Sequence, residues 1–451
     1  MNFDLTSAPV PVLIRRLAIP AGTGFFFNTM FNVVDTWYGA KLSTTALAAM
    51  SLSFPVFFIV LSIGAGVSTG ATALIGNALG RDSHEEARQY ILQALSFALV
   101  NALALSMAGL VTSPFIFEFM GAQGEYLDLA VSYMNVIFIG APFFMFNFVM
   151  SAILNSHGNT STYRNFLITG FFLNLALDPL FMYGGIGLPP LGLPGVALAT
   201  VVIQCLGNVY LFRHLSTSGI ITSFSLRELL PRRHHFRELA RQGFPSALNI
   251  MTVSLGIFII TWFVGRYGQD TVAAYGIATR IEQIALLPVM GLNVSTLALT
   301  AQNFGAGHMQ RIRETLGISL RYGFTLATIG TVAALLFTSQ LMSAFSTDTA
   351  VVSAGVQFLK IEAFVFPAYV LLYICVSAMQ GIQRPLFALW IGLYRQIVAP
   401  IAVFYLLTTL FNWGITGVWW GIFAVTWSAA LIVVLYVTFI LNKLEKDIFV
   451  V

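Results

Sequence analysis

The chain has 451 residues, of which 57% are hydrophobic and only 9% are charged, and its mean hydropathy is +0.83. Soluble domains carry about 25% charged residues, so this composition excludes a soluble protein. Because only helices and closed barrels cross a bilayer, and long apolar runs are typical of helices, it indicates an all-α integral membrane protein.

Apolar runs that reach the length needed to cross a bilayer, about 20 residues, recur from one end of the chain to the other. The first run is long and lacks a small-residue cleavage site, so we interpret it as a span and not as a removable signal peptide. The sequence predicts twelve transmembrane helices, at 12–40, 46–79, 88–113, 128–155, 163–186, 191–214, 239–266, 270–304, 312–339, 353–381, 386–410 and 415–441.

Basic residues are unevenly distributed between the predicted loops. Most lie in connections on the side of the termini, including the run "LRELLPRRHHFRELARQ" at 226–242, whereas Lys41 and Arg266 lie on the other side. The positive-inside rule then predicts that both termini are cytoplasmic. One short basic loop suits lipid headgroups better than nucleic acid, so we predict the lipid bilayer, and no nucleic acid, as a partner.

An internal repeat relates the two halves of the chain. A shift of 225 residues aligns 20–80 with 245–305 without a gap, and the identical pairs include Pro20 with Pro245, Thr36-Trp37 with Thr261-Trp262, Gly66 with Gly291 and Gly80 with Gly305. We predict an N-lobe at 1–214 with spans 1–6, a partly helical cytoplasmic linker at 215–238, and a C-lobe at 239–451 with spans 7–12. Six spans in each half give two parallel-repeat six-helix bundles.

Two like halves joined by short loops are typical of a transporter that handles its substrate between repeats. This organisation suits alternating access better than a channel. The loops carry neither a His/Asp/Glu metal set nor a Ser/His/Asp set. We therefore predict no catalytic residues and no metal site, and a membrane-embedded enzyme is the disfavoured class.

Few acidic residues lie well within the predicted spans, and each costs about 2.5–3.5 kcal/mol on insertion scales, so it is expected to face a cavity or a partner. They are Asp35, Asp178, Glu282 and Glu362. In the second half, Arg280 lies two residues from Glu282 and Lys360 two residues from Glu362. Residues two apart cannot lie on the same helix face. We therefore interpret these four residues chiefly as members of interhelix ion pairs or as interfacial side chains.

Asn28, Asn32 and Asp35 are spaced to lie on one face of span 1, which predicts a polar stripe. Asn174 lies one turn before Asp178 on span 5. Both acids are expected at similar depth below the outer surface, so they can share one polar chamber within the first half.

Each of these two acids has a structural alternative. Asp178 precedes Pro179, and an Asp-Pro pair often marks a helix break. The alternative for Asp35 is that span 1 ends earlier than predicted, so that this acid lies among the lipid headgroups and has no functional role. At the position equivalent to Asp35, however, the repeat carries Ile260. The scaffold accepts an apolar residue there, so we interpret Asp35 as functional.

A buried carboxyl pair can take up a proton from an acidic exterior and release it to the cytoplasm. One charge moving through 100 mV supplies about 2.3 kcal/mol, which can drive export of a solute. Sodium is the alternative coupling ion, and its oxygen ligands would come from Asp35, Asn174, Asp178 and Thr200. Pro20 lacks an N–H donor and can kink span 1, so we predict a hinge there.

The sequence resembles the multidrug and toxic compound extrusion family, MATE, along its whole length. The motifs include "PAGTGFFFNTMFNVVDTWYGAKLSTTALAAMSLSFP", "ILNSHGNTSTYRNFLITGFFLNLALDPLFMYG" and "SAMQGIQRPLFALWIGLYRQIVAPIAVF". The resemblance implies a cation-coupled antiporter of hydrophobic, often cationic, drugs. Within the family the chain resembles the DinF-like branch, whose coupling acids lie in the N-terminal half. Span 7 lacks the acid that the NorM-like branch uses.

The resemblance also implies roles for individual residues. Asp35 matches the coupling acid of span 1, Asn174 and Asp178 match the pair of span 5, and Thr200 matches a hydroxyl position of span 6. Pro20 matches the proline at which span 1 is proposed to bend when Asp35 takes a proton.

These observations predict a proton-driven multidrug antiporter in the cell inner membrane, acting as a monomer on small-molecule drugs and organic cations. No cofactor is expected besides the coupling ion. The alternatives are a sodium-coupled drug antiporter and a flippase for lipid-linked precursors. A flippase is expected to carry cationic residues in its cavity, and only Arg280, Lys360 and Arg395 are available for that role.

Overall fold

The computed structural model describes residues 4–185, 187–221 and 225–449. This part of the chain is helical, with a single isolated β-bridge between Gly185 and Leu188 as its only extended pairing. Eleven of its helical segments are long and apolar enough to cross a membrane, with Pro385–Leu410 counted as one, and the bent pair Thr349–Glu362 and Phe366–Gly381 makes a twelfth span when it is counted as one. The predicted all-α membrane fold with twelve spans is therefore confirmed.

Six of these helices come from the first half of the chain. They are α1 (Val10–Leu42), α2 (Thr44–Gly80), α3 (His84–Phe119), α4 (Glu125–Ser156), α5 (Ser161–Tyr183) and α6 (Leu193–Thr217). The second half contributes α7 (Arg233–Gly265), α8 (Gln269–Gly305), α9 (Met309–Leu336), α10 (Thr338–Ser343), α11 (Thr349–Glu362), α12 (Phe366–Gly381), α13 (Pro385–Leu393), α14 (Ala399–Tyr405) and α15 (Ile415–Phe449).

Two of the predicted spans are irregular and are not continuous α-helices. The span at 353–381 is broken between α11 and α12, which are bent by 53°. Pro367 explains the break, because its ring clashes with the carbonyl of Ala363 one turn earlier. The span at 386–410 contains two π-helical turns, Tyr394–Val398 and Leu406–Leu410. The first of these turns lies directly before the helix that contains Pro400, and a π-helical turn can accommodate the proline ring without a break.

The described residues form two compact units. One contains residues 23–247, and the other contains residues 4–22 together with 248–449. The first part of α1 thus belongs to the second unit, where Leu13, Ile14 and Leu17 are buried in the hydrophobic core. The first part of α7 belongs to the first unit. The two boundaries, at 22 and 247, are equivalent positions in the repeat.

Two repeat-related glycines show why these helix segments pack in this way. A Cβ on Gly66 of α2 would lie 2.6 Å from the carbonyl oxygen of Gly243 and 2.7 Å from the nitrogen of Ala247. A Cβ on Gly291 of α8 would lie 2.2 Å from the carbonyl oxygen of Ala18. Each unit therefore uses a glycine to bring two helix backbones into direct contact.

We expect Gly291→Ala to lower the stability of the purified protein, because overpacking typically costs about 1–3 kcal/mol and backbone atoms cannot move aside as a flexible side chain can. The measurement is the thermal unfolding midpoint in detergent. Gly276→Ala on the same helix is the matched control, since nothing lies within 4 Å of its added Cβ. An equal midpoint for the two variants would contradict this account of the contact.

The predicted linker is clamped to α3 within the first unit. A 3₁₀ turn, Leu226–Leu229, follows Ser225, and Glu228 accepts hydrogen bonds of 2.8 and 3.0 Å from the Arg88 guanidinium. Gln93 is buried and donates to the carbonyl oxygens of Glu228 and Leu230. The described linker residues thus include a 3₁₀ turn and are bound to one unit. Residues 222–224 of the linker lie outside the described part.

The clamp makes a prediction about pH. The Arg88 guanidinium, followed by the backbone N–H of Ser225, lowers the pKa of Glu228 to about 2 from an ordinary value of 4.5. The pKa of Glu228 is lower in the folded protein than in the unfolded chain. The stabilisation of the fold by its ionised carboxylate is therefore complete above pH 4.5 and is lost as the pH falls through about 2. We expect Glu228→Gln to speed amide hydrogen exchange, corrected for intrinsic rates, at Arg227–Leu230 near neutral pH, and the difference from wild type to vanish toward pH 2. A difference that persists at that pH would contradict the role of the ionised carboxylate.

Candidate functional site

The polar residues predicted on spans 1, 5 and 6 come together inside the first unit. Asp35 of α1, Asn174 and Asp178 of α5, and Thr200 of α6 are all buried, with exposed fractions between 0% and 7%. Asn174 and Asp178 share a face of α5 because they are four residues apart. Three helices therefore contribute one polar cluster to an otherwise apolar core.

A single amide joins the two carboxyl groups. Asn174 Nδ2 donates to Asp35 Oδ1 and to Asp178 Oδ1, and both distances are 2.8 Å. An amide nitrogen carries two hydrogens, so it can serve both acceptors at once. Thr200 Oγ1 donates to Asp35 Oδ2 at 3.2 Å and lies equally close to the carbonyl oxygen of Val196. Because both oxygens accept from the same nitrogen, Asp35 Oδ1 and Asp178 Oδ1 lie no further apart than twice 2.8 Å.

The cluster also contains buried oxygen atoms that lack a donor. Asp178 Oδ2 and Asn174 Oδ1 have no hydrogen-bond donor among the described residues. The carboxyl groups of Asp35 and Asp178 lie within hydrogen-bonding reach of each other. Ionised carboxylates are acceptors only, so such a contact becomes a hydrogen bond only when one of them carries a proton.

No basic side chain offsets these acids. Within the described part of the chain, the hydrogen bonds and ion pairs of Asp35 and Asp178 include neither a lysine nor an arginine. Buried charges in proteins are normally paired or neutralised. The pair therefore needs a cation from outside the protein, and a proton is the smallest one.

Two tyrosines near the pair were not predicted. Tyr133 of α4 is buried close to both carboxyl groups. The Tyr38 hydroxyl donates to the carbonyl oxygen of Leu175 at 3.1 Å and thereby ties α1 to α5. The position of Tyr38 could have been predicted, since it lies one turn after Asp35 on the same helix. Nothing in the sequence indicates that Tyr133 lies near this site.

Asn28 and Asn32 of the predicted stripe lie outside the carboxyl cluster. Both are exposed, and Asn32 Nδ2 donates to the carbonyl oxygen of Asn28 at 2.8 Å. Asn28 lines a small cavity together with Phe31 and Gln204. The stripe is thus divided into an exposed amide pair and a buried acid.

The two prolines of interest lie within continuous helices. α1 runs through Pro20, two residues before the boundary between units at Gly22. α5 continues through Asp178-Pro179 to Tyr183, so this dipeptide does not end the helix and the alternative of a helix break is wrong. Asp178 is therefore a residue of the helix interior.

The acids of the second half have different surroundings from those predicted. Arg280 and Lys360 are exposed, whereas Glu362 is buried and accepts a hydrogen bond from the Tyr369 hydroxyl at 3.2 Å. Glu282 lies beside Glu362, and Arg395 interacts electrostatically with both. The interpretation of Arg280 and Lys360 as interfacial side chains fits their exposure. The four intramembrane acids form two pairs, one in each unit.

A duplicated set of spanning helices with a buried, uncompensated carboxyl pair defines a membrane transporter. The chain belongs to the MatE family, whose model matches residues 20–180 and again residues 245–406. The two matches begin 225 residues apart, so they reproduce the register of the internal repeat and confirm the duplication.

Relatives and solved structures agree with this assignment. The chain is 28% identical to a FAD transporter of Shewanella oneidensis over 87% of each chain, and 25% identical to the probable multidrug resistance protein YoeA of Bacillus subtilis over 90% of this chain and 88% of that one. A crystal structure of MATE in the bent conformation superposes with a TM-score of 0.92 at 24% identity and 98% coverage of both chains. At that identity it shows the fold.

Family membership decides several predictions. The resemblance to the MATE family is confirmed, and the protein is a multi-pass membrane transporter of a multidrug efflux family rather than an enzyme. The similarity to YoeA and to the multidrug export protein MepA of Staphylococcus aureus indicates small molecules as substrates. The assignment to the DinF-like branch stays a prediction.

Proposed function

We propose that the protein is a multidrug efflux antiporter that exports hydrophobic or cationic compounds in exchange for protons, with Asp35 and Asp178 as the coupling carboxyl groups. The observation that carries this proposal is the contact between two buried carboxyls that share one amide donor and have no basic partner. One proton between them removes their mutual repulsion.

The orientation of the amide supports a proton over sodium. Asn174 presents its nitrogen to both carboxyl groups, and the hydrogens of that nitrogen repel a metal cation placed between the acids. Sodium would require the amide to present its oxygen instead. The two carboxyl groups are also close enough to share a proton in a hydrogen bond. A metal ion between them would force them further apart.

Protonation would change how α1 is held. The ionised Asp35 accepts charge-assisted hydrogen bonds from Asn174 and Thr200, which are roughly twice as strong as neutral ones. A proton on Asp35 weakens these bonds and loosens α1 from α5 and α6. The proline at position 20 lies fifteen residues earlier, about 22 Å along the helix, and we propose it as the hinge at which α1 then bends.

The remaining features of the proposal follow from the charge pattern. The basic loops support a cell inner membrane protein with cytoplasmic termini, and the two halves of one chain supply both repeats that alternating access requires. We therefore propose that a monomer carries out transport.

The test is export of a fluorescent organic cation from the cytoplasmic face in inverted membrane vesicles. Transport is measured under an imposed proton gradient without sodium, and under a sodium gradient at equal pH on both sides. Accumulation driven by the proton gradient alone is the expected result. Accumulation that requires the sodium gradient would overturn the choice of ion, and accumulation under neither gradient would overturn the antiport proposal.

A second candidate substrate is a flavin dinucleotide, because the relative with 28% identity is a FAD transporter. Supplying FAD outside the same inverted vesicles and measuring its accumulation discriminates between the two substrate classes. The flippase alternative finds less support: Arg280 and Lys360 are exposed, and Arg395 interacts electrostatically with two carboxyl groups of opposite charge.

A further inference from the structure

A stripe of arginines runs along the start of α7, separate from the carboxyl cluster of the same unit. Arg233, Arg237 and Arg241 are four residues apart and are all exposed. At about 100° per residue, this spacing places the three side chains within about 80° of one another around the helix. The opposite side of the helix is buried in the first unit and includes Leu239 and Gln242. We call these three residues the arginine stripe.

The arginine stripe ends at an exposed aromatic side chain. Phe244 lies three residues after Arg241 on the same side of α7 and is 65% exposed. The helix rises about 12 Å from Arg233 to Arg241, and Phe244 follows about 4.5 Å further along. Basic groups followed by an apolar ring on one helix face have the same order as the headgroup and acyl chains of a lipid.

No acid of the described chain offsets the arginine stripe. Among the described residues, none of its three side chains forms an ion pair or donates a hydrogen bond. The nearby acids are bound by other groups. Glu228 accepts from Arg88, while Glu238 accepts from the Tyr90 hydroxyl and lies 3.4 Å from His234. The stripe therefore presents three positive charges to its surroundings.

The internal repeat shows that the scaffold does not require this stripe. The positions equivalent to its three arginines carry, in order, Ala8, Val12 and Arg16. Ile19 takes the place of Phe244 and is also 65% exposed. The start of α1 thus has one arginine and the apolar side chain but lacks the other two arginines. Arginines at two positions where the scaffold accepts alanine and valine indicate a role outside the fold.

We propose that the arginine stripe binds the headgroup phosphate of an anionic phospholipid, whose acyl chains lie along Phe244. A guanidinium group can donate two parallel hydrogen bonds to phosphate oxygens, and basic residues next to a membrane attract anionic lipids. A zwitterionic lipid brings no net charge to offset the arginines. In the proposed topology the lipid belongs to the cytoplasmic leaflet. This inference goes beyond the proposed function and stands if Asp35 and Asp178 prove not to couple transport.

The experiment measures lipid binding to the full chain, purified in a neutral detergent, by native mass spectrometry. Phosphatidylglycerol and phosphatidylcholine are titrated separately, and wild type is expected to bind the first more tightly. The test variant combines Arg233→Ala with Arg237→Val, which introduces the residues that the repeat already carries. We expect it to bind phosphatidylglycerol about 25-fold more weakly than wild type, at about fivefold for each arginine.

The matched control combines Arg213→Ala with Lys443→Ala. Both residues are exposed, on α6 and α15, and in the predicted topology they lie on the side of the termini. This variant loses the same net charge but keeps the arginine stripe, so it is expected to bind phosphatidylglycerol as wild type does. A measurement on wild type alone adds an independent test. Raising the salt from about 0.1 M to 1 M shortens the Debye length from about 10 Å to 3 Å and is expected to weaken this binding.

Four outcomes would overturn the proposal. The first is equal affinity of wild type for the two lipids, and the second is phosphatidylglycerol binding that does not respond to salt. The third is an equal loss of binding in the test and control variants, which would assign the effect to net charge alone. The fourth is displacement of the bound lipid by inorganic phosphate, which would assign the site to a free anion instead.

Discussion

Asp35→Asn is expected to reduce efflux driven by a proton gradient to the level of vesicles that lack the protein. An asparagine amide has nearly the shape of the carboxyl group but cannot take up or release a proton. The loss should therefore appear in the coupled step while substrate binding, measured by fluorescence polarisation on the purified variant, persists. The measurement is the initial rate of accumulation of a fluorescent cation in inverted vesicles.

Asp128→Asn is the matched control for this variant. Asp128 is exposed in the first turn of α4, so the same chemical change there is expected to leave transport at the wild-type rate. If Asp35→Asn retains gradient-driven transport, the assignment of Asp35 as the coupling group is wrong.

Asn174→Leu is expected to have the second largest effect, because this amide is the donor that both acids share. Leucine is similar in size but leaves two buried carboxyl oxygens without that donor, at about 1–3 kcal/mol for each unsatisfied group. We expect a lower thermal midpoint near neutral pH, and a smaller difference from wild type in acidic buffer, where the acids are protonated. The readout is unfolding in detergent across the two buffers.

Asn165→Leu provides the comparison on the same helix. Asn165 is exposed and its side chain interacts only with the neighbouring Arg164 in the described hydrogen bonds, so its replacement should change stability little. An Asn174→Leu variant whose deficit is the same in both buffers would show that the amide is needed for packing and not for binding the two carboxylates.

The two acid pairs differ in one physical respect. The pair in the first unit is held by an amide and a hydroxyl and has no basic partner in the described chain, so all neutralising charge must come from outside. The pair in the second unit has Arg395 beside it. The first pair therefore depends on an external cation, whereas the second has a basic group of the protein that interacts with it electrostatically.

Several features of the site could be predicted from the sequence because they depend on local spacing. Asn174 and Asp178 share a helix face whatever surrounds them, and an acid in an apolar run such as Asp35 signals a function because burial is costly. The positions of Tyr133 and Arg395 could not be predicted. Each reaches its site from a helix distant in sequence, and no spacing rule connects such residues.

The sequence by itself determined the membrane class, the number of spans and the duplication, because hydrophobic length and repeat register are properties of the chain alone. Tertiary structure decided which helices bring their polar groups together. It also decided that the start of α1 packs in the second unit and the start of α7 in the first, since backbone contact at Gly66 and Gly291 depends on how helices cross. Glu282 and Glu362 show the same distinction: their spacing to Arg280 and Lys360 suggested partners nearby in sequence, whereas packing placed them beside each other and Arg395.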